Sequence, residues 1–283
     1  MLKKITKLIW HILIVLCLTV LTQIGGLVYL VFIVSWKVGK KRIPFIETLK
    51  IWKGRLLKAF SFILFYVFIS LFIIPILAKP FGRVPLPITN NAHIKPLNIL
   101  TCLFNRHYVK PDLYAAFVDV STDLNAKYPN TTIAYLDANF PFFDGFSLLP
   151  HLSHNDGEKL DVAFFYTDAK TGVALNDAAP SIIGYGVFEE PKTNEINQPN
   201  NCAKKGYWQY SILSKIVPQW NKQNYVFDAN RTKTMVELFA KHPSINKLFI
   251  EPHLKTRLNL HSSKIRYHGC GAVRHDDHLH IQL

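Results

Sequence analysis

The sequence has 283 residues, 49% of them apolar, and a formal net charge of +14. This length allows one ordinary domain with an additional segment. Most of the charge lies at one end, because residues 1–78 hold 11 basic residues and one acidic residue, whereas residues 79–283 hold 22 and 18. Membrane topology accounts for such a distribution, so the charge does not indicate nucleic-acid binding and we expect no nucleic-acid partner.

Two long stretches near the N-terminus contain no charged residue. Residues 10–36 and residues 59–78 are each long enough to cross a hydrocarbon core of about 30 Å as a helix. The first stretch is longer than the apolar part of a cleavable signal peptide, and no small-residue cleavage site follows it. We therefore expect residues 1–78 to form a two-helix membrane anchor.

The loop between these two spans, residues 37–58, contains eight basic residues and one acidic residue. The positive-inside rule places such a loop in the cytoplasm, so that both termini face outward. Lys3, Lys4 and Lys7 favour the opposite side for the N-terminus. The loop could also bind anionic lipid, although topology alone explains its charge.

Three of the four cysteines, Cys102, Cys202 and Cys270, lie in the part expected to face outward. An exported compartment permits disulfide bonds, and three thiols cannot all pair within one chain. Because Cys202 and Cys270 lie in the same half of this part, we hypothesise a disulfide between them. Buried, unpaired thiols are the alternative.

The segment after the second span has the composition of a soluble α+β domain. Residues 79–96 predict a proline-containing linker, and residues 97–283 predict the domain itself. Apolar residues at helical spacing predict helices over residues 113–130 and 234–243. The expected strands are residues 132–137, 159–167, 181–188, 247–252 and 279–283. The polar residues 189–205 predict a surface loop.

Histidine and aspartate residues are concentrated at two places in this domain. His154 and Asp161 are seven positions apart, with Gly157 between them to permit a tight turn. His278 and His280 flank a single residue near the C-terminus, so both imidazoles would lie on one face of a strand. A lone histidine is more often a surface or core group, but metal sites need several such side chains to converge. The pattern therefore predicts a metal site.

These residues resemble the penicillin-insensitive murein endopeptidases. SHNDGEKLD, residues 153–161, and RHDDHLHIQ, residues 274–282, match the H-x6-D and later H-x-H signature of a wider zinc peptidase group. That group includes lysostaphin-like enzymes, D-alanyl-D-alanine peptidases and the hedgehog signalling domain. Further agreement with the murein endopeptidase branch is found at His151, residues 227–240 and residues 244–258. The resemblance covers about residues 132–283 and implies a small antiparallel sheet with flanking helices.

The resemblance also implies a catalytic Zn²⁺ ion with three protein ligands and a fourth position for water. The implied ligands are His154, Asp161 and His280. His278 is the expected general base, because an imidazole titrates near neutral pH. His151 and His275 are the expected groups for holding the water or stabilising the oxyanion.

Two positions depart from the family pattern: Lys159, where a second aspartate is common, and Asp277, where an aromatic residue often precedes the H-x-H. Asp276 or Asp277 could orient a ligand imidazole, although a surface acid is the commoner role. Other chemistries lack their motifs, including the GxSxG elbow, the P-loop and the dinucleotide glycines. A thiol peptidase built on Cys270 would lack a group to orient its histidine.

The resemblance implies a membrane-tethered zinc metallopeptidase that hydrolyses peptide cross-links of peptidoglycan. Its expected location is the inner membrane, with the catalytic domain in the periplasm, and its expected partners are peptidoglycan and the membrane. One alternative is a non-catalytic zinc-binding ectodomain, which the two departures favour. Another is a D-alanyl-D-alanine carboxypeptidase, for which a carboxylate-binding arginine is needed; the candidates are Arg257, Arg266 and Arg274.

Overall fold

The structure is a computed structural model that describes residues 2–43 and 50–283. The centre of the predicted basic loop, residues 44–49, therefore lies outside the described residues. The rest of the chain forms an N-terminal group of helices followed by a mixed α/β domain.

The first apolar stretch forms a helical hairpin. Helix α1 (Leu2–Thr22) is followed by Gln23, whose backbone has a left-handed φ of 64°. Helix α2 (Gly25–Arg42) then returns beside α1. The Nδ1 atom of His11 lies 2.7 Å from the hydroxyl oxygen of Tyr29. In one straight helix these two residues, 18 positions apart, would be about 27 Å apart.

The expectation of one continuous helix over residues 10–36 is therefore wrong, and two glycines explain the difference. A Cβ atom at Gly25 would lie 2.6 Å from Oγ1 of Thr22, and one at Gly26 would lie 2.7 Å from the carbonyl oxygen of Val15. Only residues without a side chain allow the two helices to approach this closely. Hydropathy does not detect such a reversal, because Gln23 and the glycines leave the apolar stretch uncharged.

The second apolar stretch forms a longer helical rod. It consists of α3 (Ile51–Phe68), a π-helical turn (Ile69–Ile73), α4 (Ile74–Ala78) and a 3₁₀ turn (Lys79–Phe81). Among the described residues, Leu2–Thr22 and Ile51–Phe81 are long and apolar enough to cross a membrane. The predicted span over residues 59–78 lies within the second of these. Helix α2 packs against α3, with the rings of Phe32 and Phe62 5.3 Å apart.

The domain contains short strands and helices. Its strands are β1 (Val84–Pro85), β2 (Ile94–Pro96), β3 (Tyr108–Val109), β4 (Ile133–Tyr135), β5 (Lys159–Ala163), β6 (Tyr166–Asp168), β7 (Ala174–Leu175), β8 (Tyr225–Phe227), β9 (Lys247–Phe249), β10 (Ile265–Arg266) and β11 (His278–Gln282). Its helices are α5 (Ile99–Leu103), α6 (Pro111–Lys127), α7 (Gln198–Lys204), α8 (Ile212–Ile216), α9 (Ala229–Lys241) and α10 (Pro252–Arg257), with 3₁₀ turns at Trp208–Ser211 and Lys222–Asn224.

The main sheet has six strands in the order β10-β9-β11-β5-β4-β2. The central pairs are antiparallel, whereas β2–β4 and β9–β10 at the two edges are parallel. The prediction of an antiparallel sheet is thus correct only for its centre. The edges are parallel because α6 and α10 lie in the connections that lead to β4 and β10, and such crossovers return the chain in the same direction.

The two long helices of the domain cover one face of this sheet. Leu279 and Ile281 of β11 pack into a buried core with Phe117 of α6 and with Met235 and Phe239 of α9. Both helices agree with the prediction, and α9 begins earlier than expected because the side chain of the preceding aspartate caps its first turn. Burying one face of β11 against these helices leaves its other face for polar side chains.

Three other segments differ from the sequence prediction. The predicted linker, residues 79–96, contributes strands β1 and β2. Residues 181–188 form turns rather than a strand, because Gly184 and Gly186 have φ angles of 83° and 84° that interrupt an extended backbone. The predicted loop over residues 189–205 contains α7, whose first turn is capped by the side chain of Asn197.

The predicted disulfide between Cys202 and Cys270 is confirmed. Of the other two cysteines, Cys102 is buried and unpaired and Cys17 lies in α1. The disulfide joins α7 to the loop that precedes β11, so it fixes one wall of the region described next.

Candidate metal centre

Two neighbouring strands in the centre of the main sheet bring polar side chains next to each other on one face. In the register of β5 and β11, His280 lies opposite Asp161 and His278 lies opposite Ala163. Directly opposed residues of an antiparallel pair share a face, and so do residues two apart on one strand. Asp161, His278 and His280 therefore project from the face that the helices leave uncovered, as the H-x-H spacing predicts.

His154 reaches the same place from the loop before β5. Its Nδ1–H group donates to the carbonyl oxygen of Ala138 at 2.7 Å, since a carbonyl can only accept. The Nε2 atom points the other way, and it lies 3.1 Å from Nδ1 of His280 and 3.3 Å from Oδ1 of Asp161. Gly157, with a φ of 80°, makes the turn that returns the chain to β5, as predicted.

The two carboxylate oxygens of Asp161 have different partners. Oδ1 faces His154 and lies 2.8 Å from Nδ1 of His280. Oδ2 accepts a hydrogen bond from the hydroxyl group of Tyr185 at 2.9 Å and lies 2.9 Å from Nδ1 of His151. Burial alone would raise the pKa of Asp161, but the charges and hydrogen bonds of the neighbouring histidines hold this pKa well below its ordinary value.

His151, His154 and Asp161 form a buried group that could hold a metal ion, with one ligand atom from each lying within 4.8 Å of the others. The donor chemistry fits such an ion. Nε2 of His154 and Oδ1 of Asp161 are buried and lie 3.3 Å apart. An imidazole nitrogen and a carboxylate oxygen are donor atoms that Zn²⁺ takes in proteins.

His278 is oriented by the residue that precedes it. Its Nδ1–H group donates to Oδ1 of Asp277 at 2.5 Å, and the backbone N–H of Gly186 fixes the other oxygen of that carboxylate. Its Nε2 atom is buried without a hydrogen-bond partner, 3.7 Å from Oδ2 of Asp161. Burial alone would lower the pKa of His278, but the charges of Asp161 and Asp277 raise it. Asp277 is therefore not a surface acid.

His275 adjoins this group, with its ring centroid 5.0 Å from that of His278 and 5.6 Å from that of His280. Burial, together with the charges of these two histidines, holds the pKa of His275 well below its ordinary value. His268 was not among the predicted residues, yet its ring stacks on Phe249 at 4.2 Å and lies 6.1 Å from that of His280.

The six site residues expected from the sequence thus lie together: His151, His154, Asp161, His275, His278 and His280. Tyr185 was missed, although its hydroxyl group accepts from the backbone N–H of Asp137 at 3.1 Å while donating to the carboxylate of Asp161. It lies in the segment predicted as a strand, and no pattern in the sequence links it to the H-x6-D motif. Lys159 pairs with Asp156 and does not contact the centre.

A cleft of about 360 Å³ opens onto this centre. Its histidines are His151, His154, His268, His275 and His280. Leu152 and Leu213 belong to its apolar walls. The buried Arg274 also lines it, with its guanidinium group held by Asp276. Asp276 therefore pairs with an arginine rather than orienting a ligand histidine.

Comparison with protein-family models and with curated proteins finds no match for this chain. The resemblance to the murein endopeptidases therefore stays a prediction.

Proposed function

We propose that this protein is a membrane-tethered zinc metallopeptidase that hydrolyses peptide cross-links of peptidoglycan. The observation that carries this proposal is the arrangement around Oδ1 of Asp161, which faces two imidazole nitrogens beside a histidine whose Nε2 atom has no partner. A metal site together with an oriented, unpartnered base is what peptide hydrolysis requires.

The residues best placed to hold Zn²⁺ are His154, Asp161 and His280. Their Nε2, Oδ1 and Nδ1 atoms face one another, whereas His151 faces the other carboxylate oxygen. Two histidines and one carboxylate make up the donor set of many catalytic zinc sites. The chemistry that a bound Zn²⁺ ion supplies is Lewis-acid polarisation of a carbonyl group and of water.

His278 acts as the general base in this proposal. Asp277 accepts the hydrogen bond from the Nδ1–H group of His278. The Nε2 atom of His278 is therefore free to take a proton from the attacking water and to return it to the leaving amine. Asp277 departs from the family pattern, and this departure favoured a non-catalytic module. Because Asp277 orients His278, the same departure now supports catalysis. A purely structural metal site has no need of an oriented base.

His151 and Tyr185 position the ligand carboxylate through its second oxygen. The Nε2 atom of His151 is buried without a hydrogen-bond partner. We assign this atom to the carbonyl oxygen of the substrate as negative charge develops there. His275, held neutral, stays beside the base without competing for its proton.

In the proposed topology, α1 and the rod Ile51–Phe81, the two described helices long and apolar enough, cross the inner membrane, and α2 returns the chain between them. The amide side chain of Gln23, in the hairpin turn, accepts from the backbone N–H of Phe142, so the turn lies on the side of the domain. At the opposite end, Lys7 and Lys37 lie near Lys58 of the rod. The N-terminal lysines and the basic loop then share the cytoplasmic side, as the positive-inside rule favours.

This topology replaces the outward N-terminus expected from two spans. It leaves the catalytic domain in the periplasm beside peptidoglycan, and the Cys202–Cys270 disulfide is consistent with an oxidising compartment.

The test is digestion of purified peptidoglycan by the full chain in detergent, with the released muropeptides measured by mass spectrometry. We expect cross-linked dimers to disappear, a chelator to stop the reaction, and added Zn²⁺ to restore it. Unchanged dimers in the presence of stoichiometric bound zinc would favour the non-catalytic ectodomain.

A further inference from the structure

A second cavity of about 190 Å³ adjoins the cleft at the metal centre. The two cavities share His151, Pro150 and Leu213, so they meet at the histidine that we assign to the substrate carbonyl. A peptide with its scissile bond at the centre can therefore place a neighbouring residue in the second cavity. No predicted site residue other than His151 lines it.

Arg106 is the cationic group of this second cavity. A guanidinium group presents five N–H donors, but among the described residues the side chain of Arg106 makes one hydrogen bond, from Nη1 to Oδ2 of Asp137 at 3.4 Å. Its Nε atom is buried without a hydrogen-bond partner, and 13% of the side chain is exposed. Leaving a buried donor unpaired is unfavourable, so the site is built for an acceptor that arrives with a ligand.

The three arginines suggested by the sequence do not offer such a group. Arg274 is held by Asp276, and Arg257 donates to Glu195 from both Nε and Nη2. Arg266 is exposed and lines neither cavity.

We propose that the second cavity is a substrate subsite in which Arg106 binds a carboxylate on a residue next to the scissile bond. This inference rests on the proposed peptidase function. The fork geometry of a guanidinium group suits a carboxylate, and Asp137 occupies only one of its donors. Leu100, Phe104 and Ile183 supply apolar walls that suit a small side chain beside that carboxylate.

Two carboxylates can lie next to the scissile bond, the α-carboxylate of a terminal residue and the free carboxylate of a diamino acid. Both present the same chemistry to Arg106. A subsite for the first favours the carboxypeptidase alternative, and a subsite for the second favours cleavage of cross-links, so identifying the carboxylate also identifies the reaction.

The test uses the zinc-loaded full chain with matched peptides in which either carboxylate is free or converted to an amide. We expect the wild type to lose about 10- to 100-fold in kcat/KM when the recognised carboxylate is amidated, the loss of a charged hydrogen bond. Arg106→Gln should remove this preference, and Arg106→Lys should restore it in part. Arg266→Gln, a change at an exposed arginine, should leave it intact.

Binding of N-acetyl-D-alanine and of its amide gives a readout that does not depend on turnover. We expect the acid to bind more tightly than the amide to the wild type and equally weakly to Arg106→Gln, whose zinc content should be unchanged. An Arg106→Gln variant that still prefers the acid or the free-carboxylate peptide would overturn the subsite. If the wild type hydrolyses no peptide at all, the proposed function fails, and the binding measurement still decides for or against Arg106.

Discussion

His280 and Asp161 lie directly opposite each other on the two central strands of the main sheet, with Nδ1 of the imidazole 2.8 Å from Oδ1 of the carboxylate. His154 approaches the same oxygen from the loop before β5, whereas His151 approaches the other one. The two oxygens of Asp161 thus have different partners. Oδ1 faces the histidines expected to hold zinc, and Oδ2 faces the histidine expected to act on the substrate.

His280 and His151, which face different oxygens of Asp161, should differ in their effect on zinc binding. His280→Ala should reduce bound zinc from about one ion per chain to a small fraction, because a catalytic site has three protein ligands. His151→Ala should retain zinc while kcat falls. Metal content after dialysis, measured by mass spectrometry, checks both variants. Loss of zinc from His151→Ala together with its retention by His280→Ala would reverse the assignment.

Asp277 should matter for turnover and not for metal binding. In Asp277→Asn the amide still forms a hydrogen bond with His278. Because an amide can donate as well as accept, it no longer fixes the tautomer of His278 that has a lone pair on Nε2. We expect kcat to fall by about 100- to 10,000-fold, the usual contribution of a general base. Zinc content should stay at the wild-type level. Asp123→Asn, a change at an exposed acid of α6, is the control and should be fully active.

The hairpin predicts on which side of the membrane each end lies. In a Cys17→Ser background, Lys170→Cys in the domain should react with a membrane-impermeant maleimide in spheroplasts. Lys4→Cys should react only after permeabilisation, because three crossings bring the N-terminus inside. Equal labelling of both positions in intact spheroplasts would support the two-span topology instead.

His107 should make the fold sensitive to acid. Burial lowers the pKa of His107 to about 3, so this side chain stays neutral in the folded protein when the unfolded chain is already protonated. The folded pKa is the lower one, so stability is present above about pH 6.5 and is lost as the pH falls towards 3, by up to about 1.4 kcal/mol per pH unit.

His107→Phe removes this proton uptake while keeping a buried ring. Between pH 7 and pH 5 the variant should lose less of its free energy of unfolding than the wild type, by about 1–2 kcal/mol in urea titrations. His261→Gln changes an exposed histidine and should follow the wild type. Parallel pH profiles for His107→Phe and the wild type would show that His107 is not buried as described.

A strand period of two relates His278 to His280, and one glycine turn relates His154 to Asp161. The resemblance to a known family, and no local pattern, placed these two pairs at one site. Tyr185 and Arg106 could not be predicted, since they reach the site from a glycine-interrupted turn and from a segment 48 residues before the first expected ligand. The helical hairpin at Gln23 could not be predicted, because hydropathy reports the polarity of residues and not a reversal of the chain direction. Parallel edges of the sheet follow from crossovers that no local pattern reveals.

The most direct measurement of the central claim is hydrolysis of a purified cross-linked muropeptide dimer by the full chain and by His278→Ala at equal zinc occupancy. We predict that the wild type converts the dimer to monomers and that the variant, with its zinc retained, is at least about 100-fold slower. Full turnover by zinc-loaded His278→Ala, or no turnover by the zinc-loaded wild type, would contradict the account.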